Sequence, residues 1–172
     1  MKKLLLILLC LPMIGFGQQM TYVPDDNFEQ ALINLGFDNV LDDSVITPQI
    51  QMLIILDVNS KNIADLTGIE DFTSLTELSC YNNSLTSLDV SQNIALTQLH
   101  CSHNQLTTLD IRNGNNINVT DFISLYNSNL TCINVDDSVW STANWTFIDS
   151  QHYFSNNCNP LSIQEHITNK EL

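Results

Sequence analysis

Apolar residues recur at fixed intervals through the middle of the chain. Residues 75–95 read LTELSCYNNSLTSLDVSQNIA, and residues 96–116 read LTQLHCSHNQLTTLDIRNGNN. Leu75, Leu78, Cys80, Asn83, Leu85, Leu88 and Val90 return 21 residues later as Leu96, Leu99, Cys101, Asn104, Leu106, Leu109 and Ile111. A period of about 20 residues marks a solenoid, in which each repeat buries its apolar side only against its neighbours. Within a repeat, Thr76-Glu77-Leu78-Ser79-Cys80 alternates with period 2 and predicts a strand with Leu78 and Cys80 inward and Glu77 and Ser79 outward. Asn83 then turns the chain; its amide can donate to and accept from backbone groups that a tight bend leaves unpaired. Leu85, Leu88 and Val90 bring the opposite side back to the core, as a second short strand.

Weaker copies flank this pair. Upstream, Leu56, Val58, Ile63, Leu66 and Ile69 continue the pattern, with Asn62 near the asparagine position. Downstream, Ile123, Leu125, Leu130, Ile133 and Val135 fit if Asn113-Gly114-Asn115-Asn116 opens a three-residue insertion, which puts Ser128 at the asparagine position. The expectation is about four coils, above the three or so that a continuous core requires.

These residues resemble the leucine-rich repeat family, whose pattern is LxxLxLxxNxL with Cys tolerated at the third apolar position. The match covers roughly residues 54–137. More narrowly it is similar to the short-period, Bacteroidetes-type repeats of exported proteins, in which openings of the type VPDDNFEQALINLG precede the repeats. The segment from Asp65 to Ile69 is similar to internalin-type repeats. The resemblance implies a β-rich fold with a minor α+β component: a solenoid with a parallel sheet, a helical N-terminal cap over residues 18–53 and a C-terminal cap over residues 138–160.

The N-terminal cap is readable in its own right. Pro24-Asp25-Asp26 followed by Asn27 to Gly36 predicts a helix with Asp at its cap, Phe28, Ala31, Leu32 and Leu35 on one face, and Gly36 as the stop. At the other end Trp140, Trp145, Phe147, Tyr153 and Phe154 crowd into a short stretch. A Cys132–Cys158 bridge would tie that cap to the last coil, closing a loop of about 25 residues and contributing roughly 3 kcal/mol. Cys80 and Cys101 occupy inward positions and are expected to stay reduced in the core.

The first residues bear on address. MKKLLLILLCLPMIGFG has the basic, apolar, small-residue order of an export signal, with cleavage expected after Gly17. Its apolar run is too short for a membrane span, and Leu8-Leu9 before Cys10 disfavour lipidation there. Residues 161–172 resemble the start of a type IX secretion sorting domain, and a chain cut short at Leu172 is one expectation. Export also makes a disulfide permissible.

Charge narrows the partners. The 172 residues carry 5 Lys and Arg against 19 Asp and Glu, a net charge of -14. Such a chain repels phosphate backbones and anionic membranes, so nucleic acid is not expected as a partner. The polar surface is built instead from Asn, Ser, Thr and Gln.

Outward strand positions define the candidate site. Three columns are expected: Ile55, Glu77, Gln98 and Phe122; Asp57, Ser79, His100 and Ser124; Asn59, Tyr81, Ser102 and Tyr126. The ligand-binding face is therefore read as Glu77, Ser79, Tyr81, Gln98, His100, Ser102, Phe122, Ser124 and Tyr126. Aromatic, hydroxyl and amide groups in that mixture suit a protein or glycan partner. The competing reading is a structural spacer or truncated passenger with no ligand. His100 and His103 flank Cys101, but strand alternation separates them, which argues against zinc and against a Cys–His nucleophile. Asp38, Asp42 and Asp43 are distantly similar to calcium loops, without the central glycine or the terminal glutamate, and read better as a solvated acidic turn. The expectation is a non-enzymatic monomer without metal or cofactor.

Overall fold

The computed structural model describes residues 18–158, so the expected leader over 1–17 and the tail over 161–172 lie outside the described residues. The chain begins with β1 (Met20–Tyr22) and α1 (Asp26–Leu35). Asp25 caps this helix: its Oδ1 accepts from the Asn27 and Phe28 N–H groups, both at 2.9 Å. Gly36 ends it at φ 86°, a left-handed geometry that glycine adopts without strain. Phe28, Ala31 and Leu32 are buried as the apolar face predicts, but Leu35, in the last turn, is exposed. Glu29 is the unexpected member of the buried side. Its carboxylate accepts the N–H groups of Asp42, Asp43 and Ser44 at 2.8, 3.0 and 3.1 Å, fixing the turn before β2 (Ser44–Ile46). β2 pairs antiparallel with β1, and α2 (Thr47–Ile50) follows.

The repeats then wind into two parallel sheets. In chain order the strands are β3 (Ile55–Asp57), β4 (Glu77–Ser79), β5 (Ser87–Asp89), β6 (Gln98–His100), β7 (Thr108–Asp110), β8 (Asp121–Ile123) and β9 (Cys132–Asn134), then α3 (Ser138–Asn144) and β10 (Tyr153–Ser155). Sheet one runs β3-β4-β6-β8 and sheet two runs β5-β7-β9-β10. The return strands inferred from Leu88 and Leu109 are thus present. Between the sheets lie Leu56, Leu78, Leu99 and Phe122 from one side and Leu88, Leu109, Ile133 and Phe154 from the other, all buried. The aromatic segment expected to act only as a cap extends both sheets: β10 continues sheet two, and Phe147 bridges to Ile123 in sheet one. The remaining aromatics close the core, with Trp145 4.6 Å from Phe122 and 5.5 Å from Phe154 between ring centroids. The Trp145 Nε1 donates to the Val119 carbonyl, so the indole is buried without an orphaned donor.

An amide ladder runs through the bends. Asn83 Nδ2 donates to Val58 O (2.9 Å) and Cys80 O (3.0 Å), while its Oδ1 accepts from Lys61 N and Ile63 N. Asn104 and Asn127 repeat this one and two coils later. Two expectations about the outer rungs need correction. Register puts Lys61, not Asn62, in the first asparagine position and Asn127, not Ser128, in the fourth. The first rung is completed from outside the repeat: Asp25 Oδ2 accepts from Ala64 N (2.8 Å) and Asp65 N (3.0 Å). One carboxylate therefore caps α1 and anchors it to the first coil. Replacing Asp25 with Ala is expected to cost about 2 kcal/mol in thermal or urea unfolding. Asp25→Ser, which keeps the cap but cannot reach the coil, should fall between Asp25→Ala and wild type; a loss confined to the helix cap would leave Asp25→Ser at wild-type stability.

Candidate recognition face

The face of sheet one is built by outward side chains from β3, β4, β6 and β8, and its register decides which residues belong to it. Glu77 pairs with Gln98, 21 residues on, but Gln98 pairs with Asp121, 23 residues on. The insertion before β8 is therefore two residues, not three. A slip of one residue turns every side chain of a strand to the other face, and three predicted site residues are corrected on that ground: Phe122 and Ser124 leave the face, and Tyr126 moves from the third column to the rim. Phe122 is 3 % exposed and sits in the core slot of Leu99, and Ser124 is fully buried in the slot of Cys101. Their places on the face are taken by Asp121, Ile123 and Leu125.

The columns observed are Ile55, Glu77, Gln98 and Asp121; Asp57, Ser79, His100 and Ile123; and Asn59, Tyr81, Ser102 and Leu125. Ser79 and Ser102 point into these columns yet are nearly buried by their neighbours. Ser79 Oγ donates to Asn59 Oδ1 at 3.0 Å, and Ser102 Oγ is buried without a partner. His100 Nε2 lies 2.9 Å from Asp121 Oδ2, a half-exposed pair worth under about 1 kcal/mol. Tyr126 lies at the rim, beyond the third column, with its ring 4.1 Å from that of His103 at an interplanar angle of 21°. Four residues missed from sequence thus belong to this surface with Phe147: Asp121, Ile123, Leu125 and His103. For the first three the signal was the ladder, since aligning Asn127 with Asn104 gives the correct step.

Sheet two presents a different face. Asp89, Asp110, Asn134 and Ser155 project from it, with Arg112 gripping Asp110 through Nε and Nη2. Burial alone would raise the Asp110 carboxyl, but the hydrogen bonds and charge of Arg112 outweigh it and hold the group below its ordinary range. A groove of about 130 Å³ at the edge of this sheet is lined by Asp65, Glu70, Ser87 and Asp89 and has room for only a few molecules the size of water.

One further constellation, in the last coil, resolves into a structural role. Ser124, His152 and Asp149 come together, with Ser124 Oγ 3.4 Å from His152 Nδ1 and His152 Nε2 3.5 Å from Asp149 Oδ2. Yet Ser124 and His152 are buried, and His152 Nδ1 also accepts the Asp149 N–H. Asp149 in turn accepts the N–H groups of Tyr126 and Asn127, so the cluster forms the last rung of the ladder. In the N-terminal cap, carboxylate oxygens of Glu29, Asp38 and Asp42 lie within 4.8 Å of one another, and Asp38 Oδ2 is buried without a hydrogen-bond partner. Asp43 is outside that group; its carbonyl accepts from Val23 N.

The cysteines divide as expected. Cys132 and Cys158 form a disulfide across 26 residues, tying β9 to the segment after β10. Cys80 and Cys101 are free and buried on neighbouring strands. Burial pushes the Cys80 thiol up to about 12, and burial together with the adjacent Cys80 raises Cys101 well above its usual range. Neither forms a thiolate at neutral pH. Iodoacetamide should leave both unmodified in the native protein and label both after unfolding without reductant, as read by intact mass; labelling of the native state would place them at an accessible surface.

No family model matches the sequence. Over 72 residues it is 42% identical to Internalin J of Listeria monocytogenes serotype 4b (strain F2365), a stretch covering 42% of this chain and 8% of that protein. Among solved structures it is similar to the functional domain of InlJ from Listeria monocytogenes, described as including a cysteine ladder. That likeness has a TM-score of 0.51 and 31% identity, over 82% of this chain and 29% of the other. It is also similar to an internalin (inlF) from the same species, with a TM-score of 0.50 and 26% identity, over 82% of this chain and 41% of the other. The chain thus spans less than half the length of each relative. Among the described residues no helix is long and apolar enough to cross a membrane. Periodicity, asparagine ladder and these likenesses agree: the chain is a leucine-rich repeat solenoid whose repeats are similar to those of the Listeria internalins.

Proposed function

We propose that this protein is a non-catalytic recognition module that binds a protein partner through the face of sheet one, at or outside the cell surface. The observation that carries this reading is the asymmetry between the two sheets. Sheet one and its rim expose Tyr81, Tyr126 and Phe147 beside Glu77, Gln98 and His100, whereas sheet two exposes one aromatic, Tyr153 on its edge strand, among short polar side chains, an ion pair and the disulfide. Rigid aromatics interleaved with adaptable polar groups suit protein recognition, and solenoid sheets present such groups on an open surface. The likeness to internalins supports a protein rather than a glycan as the ligand. Export through the leader expected over 1–17, a Bacteroidetes-type origin, surface attachment through a type IX tail and a monomeric state are parts of the same proposal.

The test uses a photo-crosslinking side chain placed at Gln98 on sheet one or at Thr108 on sheet two, with the protein presented to whole cells. Crosslinks from position 98 alone, competed by unmodified protein, are expected. Replacing Tyr81 and Tyr126 together with Ala should then remove the crosslink while the unfolding midpoint stays within about 2 °C. Equal crosslinking from both faces, or none from either, would favour the spacer reading.

A further inference from the structure

The rim of sheet one carries a conformational cost at one point that packing does not explain. The residue before each ladder position is left-handed in every coil: Ser60 at φ 57°, Asn82 at 56°, His103 at 54° and Tyr126 at 61°. The bend requires this geometry. Asn and His enter it readily, but a bulky aromatic residue does so only under strain. Tyr126 recovers little by burial, since it is 63% exposed and its ring meets only His103 among the ring contacts of the described residues. Its backbone N–H to Asp149 would be made by any residue there except proline. Asn or Gly would therefore satisfy the bend better, and what Tyr126 adds is an exposed π-face held rigid by a stacked imidazole.

The charge around that ring indicates what it receives. Of the 19 acidic residues only Glu165 and Glu171 lie outside the described stretch, and of the five Lys and Arg only Lys61 and Arg112 lie inside it. Arg112 is committed to Asp110 on sheet two. The face of sheet one carries Asp57, Glu77 and Asp121 with no arginine or lysine in its columns. A planar cation that stacks on an aromatic face and also pairs with carboxylates is a guanidinium. Asp121 precedes Tyr126 by five residues, a span of at most about 17 Å, which an extended segment with arginines five residues apart also bridges.

The geometry points to Tyr126, backed by His103, as the anchor of the recognition face, and to an arginine-bearing extended segment of a protein partner as its occupant. This rests on the sheet-face reading and adds to it both the anchor and the chemistry of the partner.

The experiment is amide NMR of the intact protein titrated with an acetylated, amidated hexapeptide carrying arginine at both ends and Ser and Thr between. Shifts at His103, Tyr126, Glu77 and Asp121 are expected. Affinity should fall about tenfold with the citrulline peptide or with Tyr126→Asn. The same variant should keep or raise the unfolding midpoint, by about 2 °C, as a fall of several degrees would make the ring structural and overturn the anchor. Shifts at Glu77 and Gln98 that survive Tyr126→Asn would overturn the anchor and leave the sheet-face reading standing. Shifts confined to Asp89 and Asp110 would overturn both, and binding of neutral chitohexaose at Tyr126 in place of the peptide would overturn the arginine assignment.

Discussion

Asn104→Ala should lose about 3–4 kcal/mol of folding stability, although it removes only a short polar side chain. Asn104 is 7% exposed; its Nδ2 donates to Cys80 O, Cys101 O and Ser102 O at 3.0, 3.1 and 3.3 Å, and its Oδ1 accepts from Leu85 N at 3.0 Å. Truncation orphans these backbone groups inside the bend, each at a desolvation cost of about 1–3 kcal/mol, offset in part by water entering the gap. On a chain of this size the unfolding midpoint should drop by about 10 °C. Asn104→Asp, nearly identical in shape, should be no better, because it turns an oxygen toward three carbonyl oxygens. Asn118, whose exposed amide reaches only Asn115 Oδ1, supplies the contrast, with Asn118→Ala expected within about 0.5 kcal/mol of wild type. A loss below about 1 kcal/mol at Asn104 would mean that the ladder is ornament and that the apolar positions alone hold the coils.

The same amides explain how much of the fold could be read from the sequence. Leu78, Cys80 and Asn83 against Leu99, Cys101 and Asn104 define a coil by themselves, because a solenoid has mainly nearest-neighbour contacts and repeats its local rules. The capped helix from Asp26 was legible for a similar reason: Asp25 and Gly36 act within one turn. What was not legible depended on competition between rules. In Asp121-Phe122-Ile123-Ser124-Leu125, period-2 alternation favours Ile123 and Leu125 as the inward pair. The fold instead buries Phe122 and Ser124, which lets Asn127 enter the ladder and donate to two carbonyls, where a Ser128 hydroxyl would offer a single donor. The hydroxyl that this register buries at Ser124 meets His152 Nδ1, a partner 28 residues away. Glu29 and Trp145 were hidden likewise, since each satisfies its polar atoms on distant backbone.

Phe122→Ala tests that register directly and should cost about 3–5 kcal/mol, the range for removing a buried aromatic ring. Its ring lies 4.6 Å from Trp145 and 6.2 Å from Phe154, so the cavity opens where β8, the Trp145 segment and β10 meet. A loss confined to the last coil would appear as early exposure of Trp145 in fluorescence, ahead of the circular-dichroism transition; a cooperative solenoid would lose both together. Ile123→Ala, on the open face beside Phe147, is expected to change stability by under about 1 kcal/mol. The two variants exchange roles if the insertion before β8 is three residues, because Phe122 would then stand on the surface and Ile123 in the core. A stable Phe122→Ala protein beside an unfolded Ile123→Ala protein would therefore return Phe122 and Ser124 to the recognition face. It would also remove Asn127 from the ladder and Tyr126 from the left-handed rim position on which its role as an anchor depends.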